Sequence, residues 1–246
     1  MKDDCDKAAQ ILKSFVGSSY LLPSLNSELT CPLTDKNKIP REAIASARGI
    51  AIFNGIRAGA MFLAGAGGSG VVLARLPDGT WSPPSAFSVR SGSVGYVYGI
   101  DVYDCVCLLN TDAAVQAYMK TEASLGANAE LSAGPASAST MGMKGERKPV
   151  WVYTKSRGLY GGVTVDGTVI REKADANAEF YDGKVKSEQI LKGEIVGSEK
   201  SRHGAAKLQE ILKVAEGKTA DSKVVGEISS QPTPGDMKDE EIYAGA

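Results

Sequence analysis

The residues able to do chemistry are few, and their spacing does not assemble a catalytic centre. The chain has one histidine, His203, and four cysteines, Cys5, Cys31, Cys105 and Cys107. No GxSxG elbow occurs, so a serine nucleophile has no frame, and a cysteine nucleophile meets the same shortage of bases. His203 precedes Gly204 at the head of an apolar-periodic segment and reads as an exposed helix-start residue. A structural zinc site takes about four Cys or His ligands at short spacings, and no CxxC pair exists. Cys105 and Cys107 fall on one face of an apolar run, too far apart along a strand for a relaxed disulfide, and read as reduced core thiols. Asp101 and Asp104 form the one tempting carboxylate pair. Their spacing puts them on opposite faces of a strand, where surface or turn positions suit them. The expectation is therefore a protein with no catalytic residues, no metal site and no cofactor.

One glycine motif needs weighing. Gly65-Ala66-Gly67-Gly68-Ser69-Gly70 fits GxGxxG, and Val72 extends it to the longer form found over kinase phosphates. A dinucleotide site requires a helix directly after the glycines, so that its N-terminus can hold the pyrophosphate. VVLARL follows instead, which is a strand. The kinase set also needs HRD and DFG elements, and neither is present. Tight strand packing is the better use for these glycines.

The elements that would position such residues follow from the pattern. The 246 residues are 43% hydrophobic and 23% charged, as in an ordinary globular domain. Twenty-eight basic against 29 acidic side chains leave no global pull toward nucleic acid, so any anionic partner must meet a local patch. The opening MKDDCDKAAQ has no apolar signal core, and no run nears the roughly 20 apolar residues that cross a bilayer. A cytoplasmic protein with only peripheral membrane contact is expected.

Residues 1–17 read as an amphipathic helix in which Ala8, Ile11, Leu12 and Phe15 recur at helical spacing. Two uses of that face are open. It can enter a membrane interface while Lys2, Lys7 and Lys13 meet headgroups, or it can pack on the domain's own core. Lys36 and Lys38 can join the same basic patch or merely solubilise a loop. From Ile50 onward short apolar runs alternate with glycines, which implies bulges, bends or close backbone approach in a strongly curved sheet. Pro77-Asp78-Gly79 and Asp166-Gly167 each read as a hairpin turn. Asn110 and Thr111 can cap a helix over 112–119, extended structure follows over 125–131, and 134–149 reads as a loop. A last helix spans 202–216. The sum is one α+β domain over 1–216, with a curved, largely antiparallel, barrel-like sheet in a β-rich core at 39–200 and peripheral helices. Residues 217–246 read as a flexible C-terminal tail.

The residue order resembles the SYLF domain family. Cys5, Lys7, Leu12 and Phe15 match its entry helix, and Ile39-Pro40 with Ala47-Arg48-Gly49 match the next element. The most specific stretch is GGSGVVLARLPDGTWSPPSAF, Gly67 to Phe87. Leu109 to Thr111, Leu125 to Asn128, Ala133 to Pro135, the tyrosine-rich Tyr153 to Ile170, and Asn177 with Phe180-Tyr181 follow in order. The resemblance implies a non-enzymatic lipid-binding module that recognises phosphoinositides. In yeast-type members it also implies actin-filament binding and work at cortical, endocytic actin patches. Carried over residue by residue, it assigns lipid contact to Lys7 and Lys13 with Ile11, Leu12 and Phe15. Lys2, Lys36 and Lys38 join that candidate site from their charge alone. Many members add a Src-homology-3 domain or a zinc finger, and these residues contain neither. Asp3, Asp4 and Asp6 dilute the helix's charge.

Overall fold

The computed structural model describes residues 1–16, 38–120, 122–125, 149–195 and 197–235, with side chains described outside 93–97, 122–125 and 157–167. The extended segment expected at 126–131 and the loop expected at 134–148 lie outside the described residues, as do Lys36 and everything after Gly235. Four strands build the sheet: β1 (Gly49–Ala74), β2 (Ser85–Leu109), β3 (Glu122–Leu125) and β4 (Val150–Glu172). All pairs are antiparallel and the order is β1-β2-β4-β3.

A straight strand of the 26 residues of β1 would run about 85 Å. Instead β1 doubles back on itself. A side chain at Gly70 would collide with the carbonyl of Ile52 and with Phe53, and a Cβ on Gly68 would lie 2.6 Å from the carbonyl oxygen of Asn54. At the open ends of this fold, the Arg75 amide donates to the Arg48 carbonyl at 2.7 Å. β2 follows the bend in register, from Gly49↔Leu109 to Met61↔Val97 and from Leu63↔Val94 to Val72↔Ser85. The register slips between Met61 and Leu63, and Met61 takes a left-handed φ of 55°. That slip marks the crest of the bend. Bending is thus present, but the expected barrel-like closure is not: among the described strands the sheet stays open at β1 and β3.

The two faces of the doubled sheet carry separate cores, because successive side chains alternate. Ala51, Phe53, Val72 and Ala74 point inward with Phe87, Tyr103 and Tyr118. Those rings meet edge to face, with Phe53–Phe87 centroids 5.7 Å apart and Phe87–Tyr118 centroids 5.0 Å apart. Ile50, Ile52, Val71 and Leu73 point outward into a cluster with the helices α1 (Lys2–Val16), α2 (Arg41–Ser46), α6 (Glu199–Ala215) and α7 (Ser222–Gly226). The smaller helices α3 (Asp112–Met119), α4 (Ala174–Phe180) and α5 (Ser187–Leu191) complete the periphery. Thr111 caps α3 by accepting from the Ala114 amide, and Ser198 starts α6 ahead of the expected Arg202 by accepting from the Ser201 amide.

Two expectations are corrected. Asp166-Gly167 is not a turn: β4 runs through it, pairing Asp166 with Ser93 and Gly167 with Gly92. Long-range pairing with β2 outweighs the local turn preference of two residues. Pro77-Asp78-Gly79 does turn, with Gly79 at φ 81° and Asp78 Oδ1 accepting from the Thr80 amide at 2.9 Å. The expected flexible tail from residue 217 is, as far as Gly235, packed on the domain. Asp221 caps α7, Ile228 and Thr233 are buried, and the Gly235 amide donates to Asp104 Oδ2 at 2.8 Å. Among the described residues no helix is long and apolar enough to cross a membrane.

Candidate functional site

α1 is held by its own sequence and by what it covers. Asp3 and Asp4 stand in its first turn and Lys13 in its last, each on the side that suits the helix dipole. Its stripe of Ala8, Ile11, Leu12, Phe15 and Val16 is buried, in one cluster with Leu208, Ile211 and Leu212 of α6 and with Ile50 and Ile52 of β1. Of the two uses open to this face, the fold takes core packing. Each side chain of this size contributes roughly 1.5–3 kcal/mol on burial. Exposing Ile11, Leu12 and Phe15 together would therefore cost much of the roughly 5–15 kcal/mol that typically holds a domain. In this docked state Ile11, Leu12 and Phe15 offer no surface to a lipid.

The described lysines differ in exposure and partners. Lys2 and Lys7 are exposed on α1. Lys13 is half-buried, and its Nζ donates to the Ile228 carbonyl at 2.8 Å and to Ser230 Oγ at 3.0 Å. Beside it the Gln10 side chain donates to the Gln231 carbonyl, so the segment after α7 straps the helix down. Lys38 is half-buried ahead of α2. Two of the diluting carboxylates are engaged by neighbours: Asp6 faces Lys207 at 3.6 Å and Asp4 faces Lys173 at 3.9 Å. Arg202 and His203 are exposed on α6 alongside.

The motif residues that make the chain recognisable form framework instead of a reaction centre. Arg75 donates to the carbonyls of Ala47, Ile44 and Gly79, lies 3.9 Å over the Trp81 ring and pairs with the buried Glu216. The Asn177 carbonyl oxygen accepts from the Ala86 amide, while its NH₂ reaches Ser85 Oγ and Glu172 Oε1. The Tyr181 hydroxyl donates to the Pro84 carbonyl at 2.6 Å. The glycine motif is absorbed the same way, since Gly68 and Gly70 allow the two arms of β1 to touch and no helix follows them.

Sequence reasoning misplaced the two aspartates. Asp101 and Asp104 are buried, not at a surface or turn. Arg57 Nε donates to Asp101 Oδ2 at 2.8 Å, and Asp104 accepts from Gly235. Each partner lies far away in sequence, so spacing alone carried no signal of burial. The Sγ atoms of Cys105 and Cys107 are 3.6 Å apart without a bond, and Thr154 Oγ1 donates to Cys105. The hydrogen bond with Cys107 and burial hold the Cys105 thiol well above its usual range, and burial pushes Cys5 up to about 12. Such thiols stay protonated and unreactive. Among the described residues no three His, Cys, Asp or Glu side chains converge as metal ligands would.

A surface that sequence reading missed lies at the crest of the bend. Met61, Phe62 and Leu63 of β1 stand exposed beside Tyr98 and Ile100 of β2, with Leu63 at 70% and Tyr98 at 79% of full exposure. The signal was the charge-free run from Ala58 to Ala74, which looks like buried strand until the bend is known.

The fold and these surfaces define an α+β module whose recognisable residues serve its doubled sheet and docked helices. The chain belongs to the SYLF (Ysc84) family: residues 90–215 match the family model described as Las17-binding protein actin regulator. It is 36% identical over 204 residues to Protein YSC84 of Saccharomyces cerevisiae, covering 79% of this chain and 40% of that one. It is 37% identical over 200 residues to LAS seventeen-binding protein 3 of the same yeast, covering 41% of it. It is 38% identical over 197 residues to the human SH3 domain-containing YSC84-like protein 1, covering 54% of it. The chain thus spans about half the length, or less, of these curated relatives. No solved structure matches it.

Proposed function

We propose that this chain is a non-enzymatic interaction module of actin regulation that also meets phosphoinositide-bearing membranes at the cytoplasmic cortex. The observation that carries the actin part is the match to a family model described as Las17-binding protein actin regulator, together with a relative named LAS seventeen-binding protein 3. A partner of that kind, or the actin filament itself, is the macromolecule to expect. The membrane part is supported by Lys2 and Lys7, which stay exposed while neighbouring carboxylates engage other cations. Lys13, Lys36 and Lys38 are secondary contacts in this reading. The apolar residues Ile11, Leu12 and Phe15 then act by holding α1 in place instead of inserting.

The test is co-sedimentation of the chain with phosphatidylcholine vesicles, with or without phosphatidylserine and a phosphoinositide, and separately with actin filaments. Each basic residue near an anionic surface is worth about 1 kcal/mol, so Lys2→Glu with Lys7→Glu should cut anionic-vesicle binding roughly tenfold or more. Both residues are exposed, so the melting temperature should hardly change. Unchanged vesicle binding overturns the lysine assignment. Saturable filament binding by a chain that ignores every vesicle would favour a second reading, a filament-binding protein with incidental lipid contact. The buried apolar face of α1 is the observation on that side.

A further inference from the structure

If the apolar face of α1 is core, the apolar contact of a membrane module must come from elsewhere, and the crest of the doubled sheet is the place where the fold exposes it. We infer that the crest, formed by Met61, Phe62 and Leu63 of β1 with Tyr98 and Ile100 of β2, is the element that enters the bilayer interface. This rests on the membrane reading proposed above.

Charge layering argues for that occupant. β1 has no charged residue from Ala58 to Ala74, β2 none from Ser91 to Ile100, and β4 none from Gly158 to Val165. Each of these runs is entered through an arginine: Arg57, Arg90 and Arg157. Of the acidic residues that leave them, Asp101 is buried and its charge is taken by Arg57, while Asp166 lies on β4 opposite Ser93. Arg90 is exposed and stands opposite Gly67, below the crest. An uncharged tip with the exposed Arg90 behind it complements hydrocarbon overlain by anionic phosphates. The exposed Tyr98 adds an amphipathic ring of the kind that settles at headgroup level.

A protein partner fits less well. The crest is the outer turn of a strand folded back on itself, with Leu63 70% and Tyr98 79% exposed, a bend instead of a groove. Strand addition by a second copy needs a long, straight, open edge. β1 is an edge strand, but its arms lie against each other from the Arg48–Arg75 hydrogen bond to the Gly55–Gly67 contact, which leaves only the bent crest open. That same open stretch limits depth, because unpaired backbone groups are costly in hydrocarbon. Insertion is therefore shallow.

The experiment uses the full chain and vesicles of phosphatidylcholine, phosphatidylserine and a phosphoinositide. Met61→Asp with Leu63→Asp places two charges at the crest, and aspartate tolerates the left-handed backbone at position 61. Vesicle binding should fall on the order of tenfold or more, with the thermal transition kept. In a second variant, Tyr98→Trp should shift its emission to the blue on vesicle addition and be quenched by brominated lipid. Wild-type chain that binds vesicles while the double variant binds equally, with no quenching at position 98, overturns the crest assignment alone. Wild-type chain that binds no vesicle overturns the membrane reading itself. A double variant that keeps vesicle binding but loses actin filaments would assign the crest to protein contact and overturn the inference.

Discussion

Arg75 joins four parts of the chain through one side chain. Its fork reaches the end of α2 at Ile44 and Ala47, the turn at Gly79 and the buried Glu216 just after α6, while its plane covers Trp81. Lysine has the charge without the fork and serves only one or two of these acceptors. Glu216 also faces the exposed Lys218 at 2.6 Å and keeps that cation if Arg75 changes, whereas removing Glu216 takes the carboxylate from Arg75, which for a buried pair costs about 3–5 kcal/mol. Arg75→Lys should therefore lower stability by roughly 2 kcal/mol or more, and Glu216→Ala by about 3, in urea unfolding followed by circular dichroism. A loss below about 1 kcal/mol for both, the scale of a surface pair, would mean the network is wet. Arg75 and Trp81 lie within the stretch Gly67 to Phe87, the most specific part of the family resemblance. Their stacking and the partner Glu216 were not legible, because that contact spans most of the chain.

At the scale of elements, β1 shows how glycine spacing encodes a shape. The density of glycine from Gly55 to Gly70 was readable as bending, and the close approach of the two arms now gives each glycine a separate weight. Gly70 abuts backbone at Ile52, which no rotamer change can relieve, whereas a Cβ at Gly67 or Gly92 meets nothing within 4 Å. Gly70→Ala should therefore open the doubled sheet and drop the melting temperature by several degrees or more. Gly67→Ala and Gly92→Ala should be neutral or slightly stabilising, since alanine restricts the unfolded chain. Equal effects at all three positions would sink the account of the bend. The same scale explains what sequence could not decide for α1. An apolar stripe has the same period whether it faces lipid or a core, and only the matching stripe on α6, far along the chain, settles which. Asp166-Gly167 failed for the complementary reason, as two residues of turn chemistry sat inside a strand paired along its length with β2.

Taken whole, the molecule seals a set of weakly acidic groups between its two sheet faces and under its helices. Burial raises the hydroxyls of Tyr103, Tyr118 and Tyr181 well above their usual range, and Tyr153 more modestly, while Cys5 moves from 9.0 to about 12. Cys105 is raised by its hydrogen bond with Cys107 and by burial. In every case the native state keeps a proton that the unfolded chain releases, so stability falls as pH rises. For Cys5 the contribution is full below about pH 9 and is lost progressively toward 12. The tyrosines extend the loss upward from about pH 10, their unfolded value. Unfolding midpoints in urea should thus be flat up to about pH 9 and then drop with increasing slope. Tyrosinate absorbance separates a sealed interior from a porous one. In a sealed molecule the buried tyrosines ionise only together with the loss of circular dichroism, in one cooperative step. A gradual rise of tyrosinate from the buried set while the sheet signal persists would show water inside the folded-back sheet. The inner cluster of Phe53, Phe87 and Tyr103 would then not be the closed core that the edge-to-face ring contacts describe.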